Sequence, residues 1–191
     1  MSEAPDPGEI EFISYAEFGQ AFFERAVTEQ RVQSAARGLA GRPIEFGPIN
    51  IGPLGLPRVS AKGTVGEPVA RRLEAELVAY ELVLPVDINL LIDFGLEKSR
   101  FRATVTVRLN LTARAAGPLK VVIDIEEPTR RNVDVHMQAE GLRASVLQLV
   151  APIESEVRRS VARYVAKQIN RPNIAKARVI DVGRVLDSFT I

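Results

Sequence analysis

The sequence predicts an α+β protein: a long, strongly curved antiparallel β-sheet wrapped around a long C-terminal helix, with an amphipathic helix ahead of it. Three observations carry this. In "SRFRATVTVRLNLTAR", Phe101, Ala103, Val105, Val107, Leu109, Leu111 and Ala113 alternate with polar residues without a break, so they share one face of a single strand. From Val78 to Phe94 the same alternation recurs, giving a second strand far longer than the usual five or six residues. From Leu142 to Asn170 the apolar residues follow three-and-four spacing, a helix of roughly 43 Å at about 1.5 Å per residue. Helix and strands match in length, and a sheet with one apolar face needs a filler of its own length.

Residues 1–8 hold two prolines, a glycine and two acids and read as a disordered tail, leaving 9–191 as one domain. Ser14 with Glu17 forms a capping box. It opens an expected helix of about six turns, with Tyr15, Phe18, Phe22, Ala26, Val32 and Ala36 along one side and Gly38 and Gly41 at its end. The fragments Ile44, Phe46 and then Ile49, Ile51 in "PIEFGPINIGPLGLP" predict a bulged or edge strand followed by a turn. "RVSAKGTVG" adds Val59, Ala61 and Val65. Pro85 sits inside the Val78–Phe94 run, which favours an edge or a bulge there, because proline gives the ladder no N–H.

"PLKVVIDIEEP" and "NVDVHMQAE" continue the alternation, with Leu119, Val121, Ile123 and Ile125 on one face and Val133, Val135, Met137 and Ala139 on the other. The connections "RAAGP" and "EEPTRRN" have hairpin composition, so the middle of the chain reads as an antiparallel meander. In the long helix Pro152 marks a kink or the first turn of a new segment. "ARVIDVGRVLDSFTI" alternates again and predicts a closing strand with Val179 and Val185 buried.

With 191 residues, 46% of them hydrophobic, the chain suffices for one sizeable core. It has no cysteine, which removes disulfides, thiolate metal ligands and thiol nucleophiles. The start lacks the basic and apolar runs of a signal peptide, and no apolar stretch approaches the ~20 residues of a membrane span; the expectation is a soluble, cytoplasmic protein. Formal net charge is +1, yet the residues from Leu73 to Glu97 carry only acids, while Arg143 to Arg184 is strongly basic. Such asymmetry marks a solvated face or a contact with anionic lipid or nucleic acid.

Taken together, the order helix, long curved meander, long helix resembles the tubular lipid-binding (TULIP) superfamily, which includes bactericidal/permeability-increasing-protein-like domains and the lipid-transfer modules of membrane contact sites. The resemblance spans about Ser14 to Asp181 and rests on element order and strand length. It implies a hydrophobic-ligand or lipid-binding, or lipid-transfer, module with an apolar seam between sheet and helices. The alternative architecture is the helix-grip fold, with "GEIEFISY" as its first strand. The alternative function is a non-enzymatic scaffold or partner-binding protein whose seam is filled by its own side chains.

The expected seam is lined by Phe18, Phe22, Val105, Val107, Leu109, Val146, Leu149, Ile153 and Val157, the same stripes that plain core packing would bury. Arg158, Arg159, Arg163 and Lys167 are the candidates for headgroups or a transient anionic membrane contact. The pairs Arg71–Arg72, Arg130–Arg131 and Arg158–Arg159 suit phosphate groups or solvent. His136, the one histidine, shares a strand face with Asp134, but no serine elbow or thiol accompanies the pair, so no catalytic role is assigned. No metal-ligand spacing or cofactor motif occurs, and "GPINIGPLG" is broken by prolines, which suits a turn better than a phosphate loop. With no tryptophan, and Tyr15, Tyr80 and Tyr164 at positions expected to be buried, no stacking platform for nucleic acid is visible.

Overall fold

In a computed structural model, which describes residues 10–51, 57–138 and 149–188, the chain forms a strongly curled antiparallel half-barrel with helices at both ends of the sequence. Helix α1 (Tyr15–Ala26) begins at the expected capping box. The Glu17 amide donates to Ser14 Oγ at 3.2 Å and the Ser14 amide donates to the Glu17 carboxylate at 2.8 Å. These hydrogen bonds, the one from the Ser14 amide foremost, hold the Glu17 carboxyl below its usual range. The single six-turn helix expected here is two helices. Val27 turns extended, and Thr28 caps α2 (Glu29–Ala36), accepting from the Arg31 amide at 3.3 Å. A tertiary contact fixes the break, since the buried Tyr80 donates its hydroxyl to the Val27 carbonyl at 2.5 Å.

Among the described residues eight strands follow: β1 (Pro43–Asn50), β2 (Arg58–Val65), β3 (Val69–Leu73), β4 (Ala79–Asp93), β5 (Lys98–Ala116), β6 (Lys120–Ile125), β7 (Val133–Met137) and, after two more helices, β8 (Val179–Asp181). The two overlong strands are the spine. All of β4 pairs with Thr112–Lys98 of β5, and inward residues face one another: Leu82 with Leu109, Leu84 with Val107, Val86 with Val105. The outer edges of this hairpin are each shared by two short strands. β4 carries β2 along its Val86–Asp93 half and β3 along Ala79–Val83. β5 carries β7 along Ala103–Val107 and β6 along Leu111–Ala116. The expected consecutive meander is thus corrected, because β6 and β7 pair with β5 and not with each other.

Pro85 explains one of these junctions. It faces the gap between β2 and β3, where its carbonyl accepts from the Gly66 amide at 2.7 Å. N–H and C=O of a strand residue aim to the same side, so the missing donor falls where no ladder runs, and β4 continues straight through.

The main helix α3 (Val150–Ile169) starts two residues before Pro152, which sits in the first turn where its missing N–H is harmless; the expected stretch from Leu142 to Gln148 lies outside the described residues. α3 runs about 30 Å. It packs on β7 and the 3₁₀ turn Arg130–Asn132, while Tyr164 donates its hydroxyl to the Pro43 carbonyl of β1 at 2.9 Å. β1 and β7 are separated by β2, β4 and β5, a span of roughly 19 Å in a flat sheet. One helix of about 10 Å diameter reaches both only because the sheet curls around it. Ile153, Val157, Val161, Val165 and Ile169 are its buried stripe, and the core they share with the inward strand faces is one cluster.

Three further expectations are corrected. The closing strand is only β8, paired with β6; Val182–Asp187 is a short helix, α5, after α4 (Pro172–Ala177). Val179 and Val185 are accordingly 43% and 50% exposed. Leu119, expected on the apolar face of β6, is 63% exposed at a positive φ of 94°, in the turn that leads into β6. Tyr15, expected to be buried, is 97% exposed.

Candidate functional site

Of the nine expected seam residues, the eight that the structure describes divide into three groups. Val105, Val107, Leu109, Ile153 and Val157 converge under α3, and none exposes more than 1% of its surface. Their side chains are closed off from solvent and belong to one packed core. Phe22 and Leu149 are half-buried at the margin of that core. Phe18 is 61% exposed on α1, which has no fully buried residue and whose C-cap Val27 is held by Tyr80 of β4. Val146 lies outside the described residues. The structure therefore does not bring Phe18 together with the α3 stripe.

Space opens instead at the flank, where β1 parts from α3, as a groove of about 330 Å³. One wall is built by a bulge. Phe46 pairs with Ala61 and Ile49 with Val59, so Gly47 and Pro48 oppose the single residue Ser60. Residues three apart would normally face opposite sides of a strand. The extra residue returns Ile49 to the same concave side as Phe46, and both line the groove with Pro48. Gly47 is required for this path: its φ is 96°, and a Cβ would stand 2.9 Å from Ser60 Cα and closer still to the Val59 carbonyl oxygen.

The other wall is α3, which presents Ser160, Arg163, Tyr164 and Lys167 at i, i+3, i+4 and i+7, one face of the helix. Ser160 is buried and donates to Glu156 at 3.2 Å. Tyr164 ties the helix to β1 at the Pro43 carbonyl. The four candidate headgroup residues are not one patch. Arg158 pairs with Glu154 at 3.6 Å, and Arg159 pairs with Glu156 within the helix. Arg158 also lies about 140° around the helix from Arg163. Arg163 and Lys167 are exposed, and among the described residues neither has a salt-bridge or hydrogen-bond partner.

The remaining candidates do not line the groove. Asp134 binds Arg108 across the sheet, not His136, which is exposed on the outer face opposite Thr104. The Arg72 amide donates to the Glu29 carboxylate at 2.5 Å, closing the free edge of β3, and the Arg72 guanidinium stacks 5.3 Å from the centre of the Tyr80 ring. Burial raises the Tyr80 pKa above its ordinary value, against the lowering effect of Arg72. Arg130 and Arg131 are exposed on their 3₁₀ turn. Among the described residues no helix is long and apolar enough to cross a membrane.

The sequence reading missed Phe46, Gly47, Pro48, Ile49, Ser160 and Tyr164 as lining residues. A Gly-Pro step inside an alternating run signals a bulge, and Ser-x-x-Arg-Tyr-x-x-Lys is a one-face helical spacing; neither signal says that the two segments meet. Compared with known proteins, the chain matches no family model, and no curated protein is similar to it in sequence.

Proposed function

We propose that the protein is a hydrophobic-ligand or lipid-binding module, with its ligand lying in the β1–α3 groove at the flank of the sheet and helix seam. The observation that carries this is the groove itself: a half-barrel with an apolar concave face leaves space beside its helix, walled by Phe46, Pro48 and Ile49. A half-barrel around a helix is also what resemblance to the tubular lipid-binding superfamily implies. The groove volume lies at the low end for small-molecule sites and suits a single chain. A transfer role adds a meeting with a membrane, for which the unpaired Arg163 and Lys167 are the available cations.

Organic extraction of the purified protein followed by mass spectrometry tests the proposal. The expected result is an alkyl-chain compound released in near one-to-one ratio, or uptake of an added alkyl probe by an empty protein. A protein that yields no such compound and takes up no probe refutes it. The second reading, a non-enzymatic partner-binding scaffold, is favoured by the sealed core under α3 and by Phe12 and Phe18, 93% and 61% exposed. It predicts no extractable compound and loss of partner capture on Phe18→Asp.

A further inference from the structure

Resting on the ligand reading above, we infer that the groove selects an anionic single-chain amphiphile, its headgroup held by Arg163 and Lys167 and its chain laid along Phe46, Pro48 and Ile49. Arg163 and Lys167 stand one helical turn apart, a spacing at which like charges repel. Their neighbours Arg158 and Arg159 each have a glutamate within the helix. Arg163 and Lys167, among the described residues, have none, and they are the two that line the groove. A carboxylate or phosphate monoester between them removes the repulsion and adds two charge-assisted contacts, one of which Arg can make bidentate. The facing wall offers the opposite chemistry, an aromatic ring, a proline ring and an isoleucine with no charge. One cationic wall and one apolar wall are complementary to an amphiphile, and not to a wholly apolar molecule or a free anion.

The test compares decanoate, decanol, decyltrimethylammonium and inorganic phosphate, each below any aggregation threshold, by amide chemical-shift titration of the full chain. Decanoate is expected to shift Phe46, Gly47, Ile49, Arg163 and Lys167 and to bind more than tenfold tighter than decanol, with the preference shrinking in high salt. Arg163→Gln and Lys167→Gln should each weaken decanoate roughly fivefold, leave decanol unchanged and leave the melting temperature near wild type. Equal binding of decanoate and decanol, or preference for the ammonium, overturns the headgroup assignment and leaves the hydrophobic-ligand reading standing. Binding of phosphate with no binding of any alkyl probe, or no binding at all, overturns both.

Discussion

Replacing Val107 by Trp asks whether the interior beneath α3 has room for anything but the protein. Val107 has no exposed surface. It faces Leu84 on β4 and Val133 on β7, which are 4% and 1% exposed, and it belongs to the same core as Ile153 and Val157. An indole cannot enter without displacing one of them. Overpacking of this kind costs about 1–3 kcal/mol, and Val→Trp adds far more than one methylene, so about 3 kcal/mol is a floor. At about 2–4 °C per kcal/mol for a chain of this size, the melting temperature should fall by roughly 6–12 °C. Calorimetry or circular-dichroism melts measure it, with Arg102→Trp on the exposed face of the same strand as a control expected to stay within about 0.5 kcal/mol. The destabilised variant should still bind decanoate at the native temperature, because the groove makes no use of Val107. A variant that melts with the wild type and loses its ligand would show an open interior seam and refute the reasoning.

Gly47→Ala should destabilise by about 1–3 kcal/mol and abolish decanoate binding even where the fold survives, since a Cβ at positive φ meets the Val59 carbonyl and Ser60 Cα; denaturant melts with binding check it, and a silent substitution would remove the bulge from the site's construction. Tyr80 supplies a pH prediction. Its folded pKa is raised by burial, so the folded state retains the proton after the unfolded chain has lost it at about pH 10. The stability that the buried phenol contributes is therefore complete below that value and falls as pH rises toward the folded value. Tyr80→Phe should remove this alkaline loss along with a late phenolate absorbance step; an unchanged alkaline melting profile would refute it.

What local pattern encodes was legible in the residues, and what depends on distant partners was not. β4 and β5 are each a single uninterrupted alternation, so their length could be read directly. The break between α1 and α2 could not, because Ala26, Val32 and Ala36 continue a helical stripe while the feature that ends α1 is a hydroxyl on Tyr80, fifty-three residues away. Likewise the alternation in β6 and β7 shows that each is a strand but not that both pair with β5. β6 takes the Leu111–Ala116 part of that edge and β7 the Ala103–Val107 part. At the C-terminus the alternation of Val179 to Val185 is real in the sequence, yet only three residues find a ladder, and the rest become a helix capped by Asp181, which accepts from the Arg184 amide at 3.0 Å.

The groove follows the same rule and shows why its chemistry was half legible. Arg163 and Lys167 stood out as cations, but so did Arg158 and Arg159. Separating the two pairs takes the helix geometry and the positions of Glu154 and Glu156. The spacing i to i+4 from Glu154 to Arg158 is the favourable order for an ion pair, with the acid N-terminal to the base, and the same order fails for Arg163 and Lys167, whose positions one turn earlier are Arg159 and Arg163. The charge that remains unneutralised is thus encoded locally. Its counterpart is not: Phe46 and Ile49 reach the same face only through the bulge, and they reach α3 only because the sheet curls until Pro43 meets Tyr164 across 121 residues of chain. A site of this kind is created by curvature, so the length of β4 and β5, which compels the sheet to coil around its helix, is the property from which the groove descends.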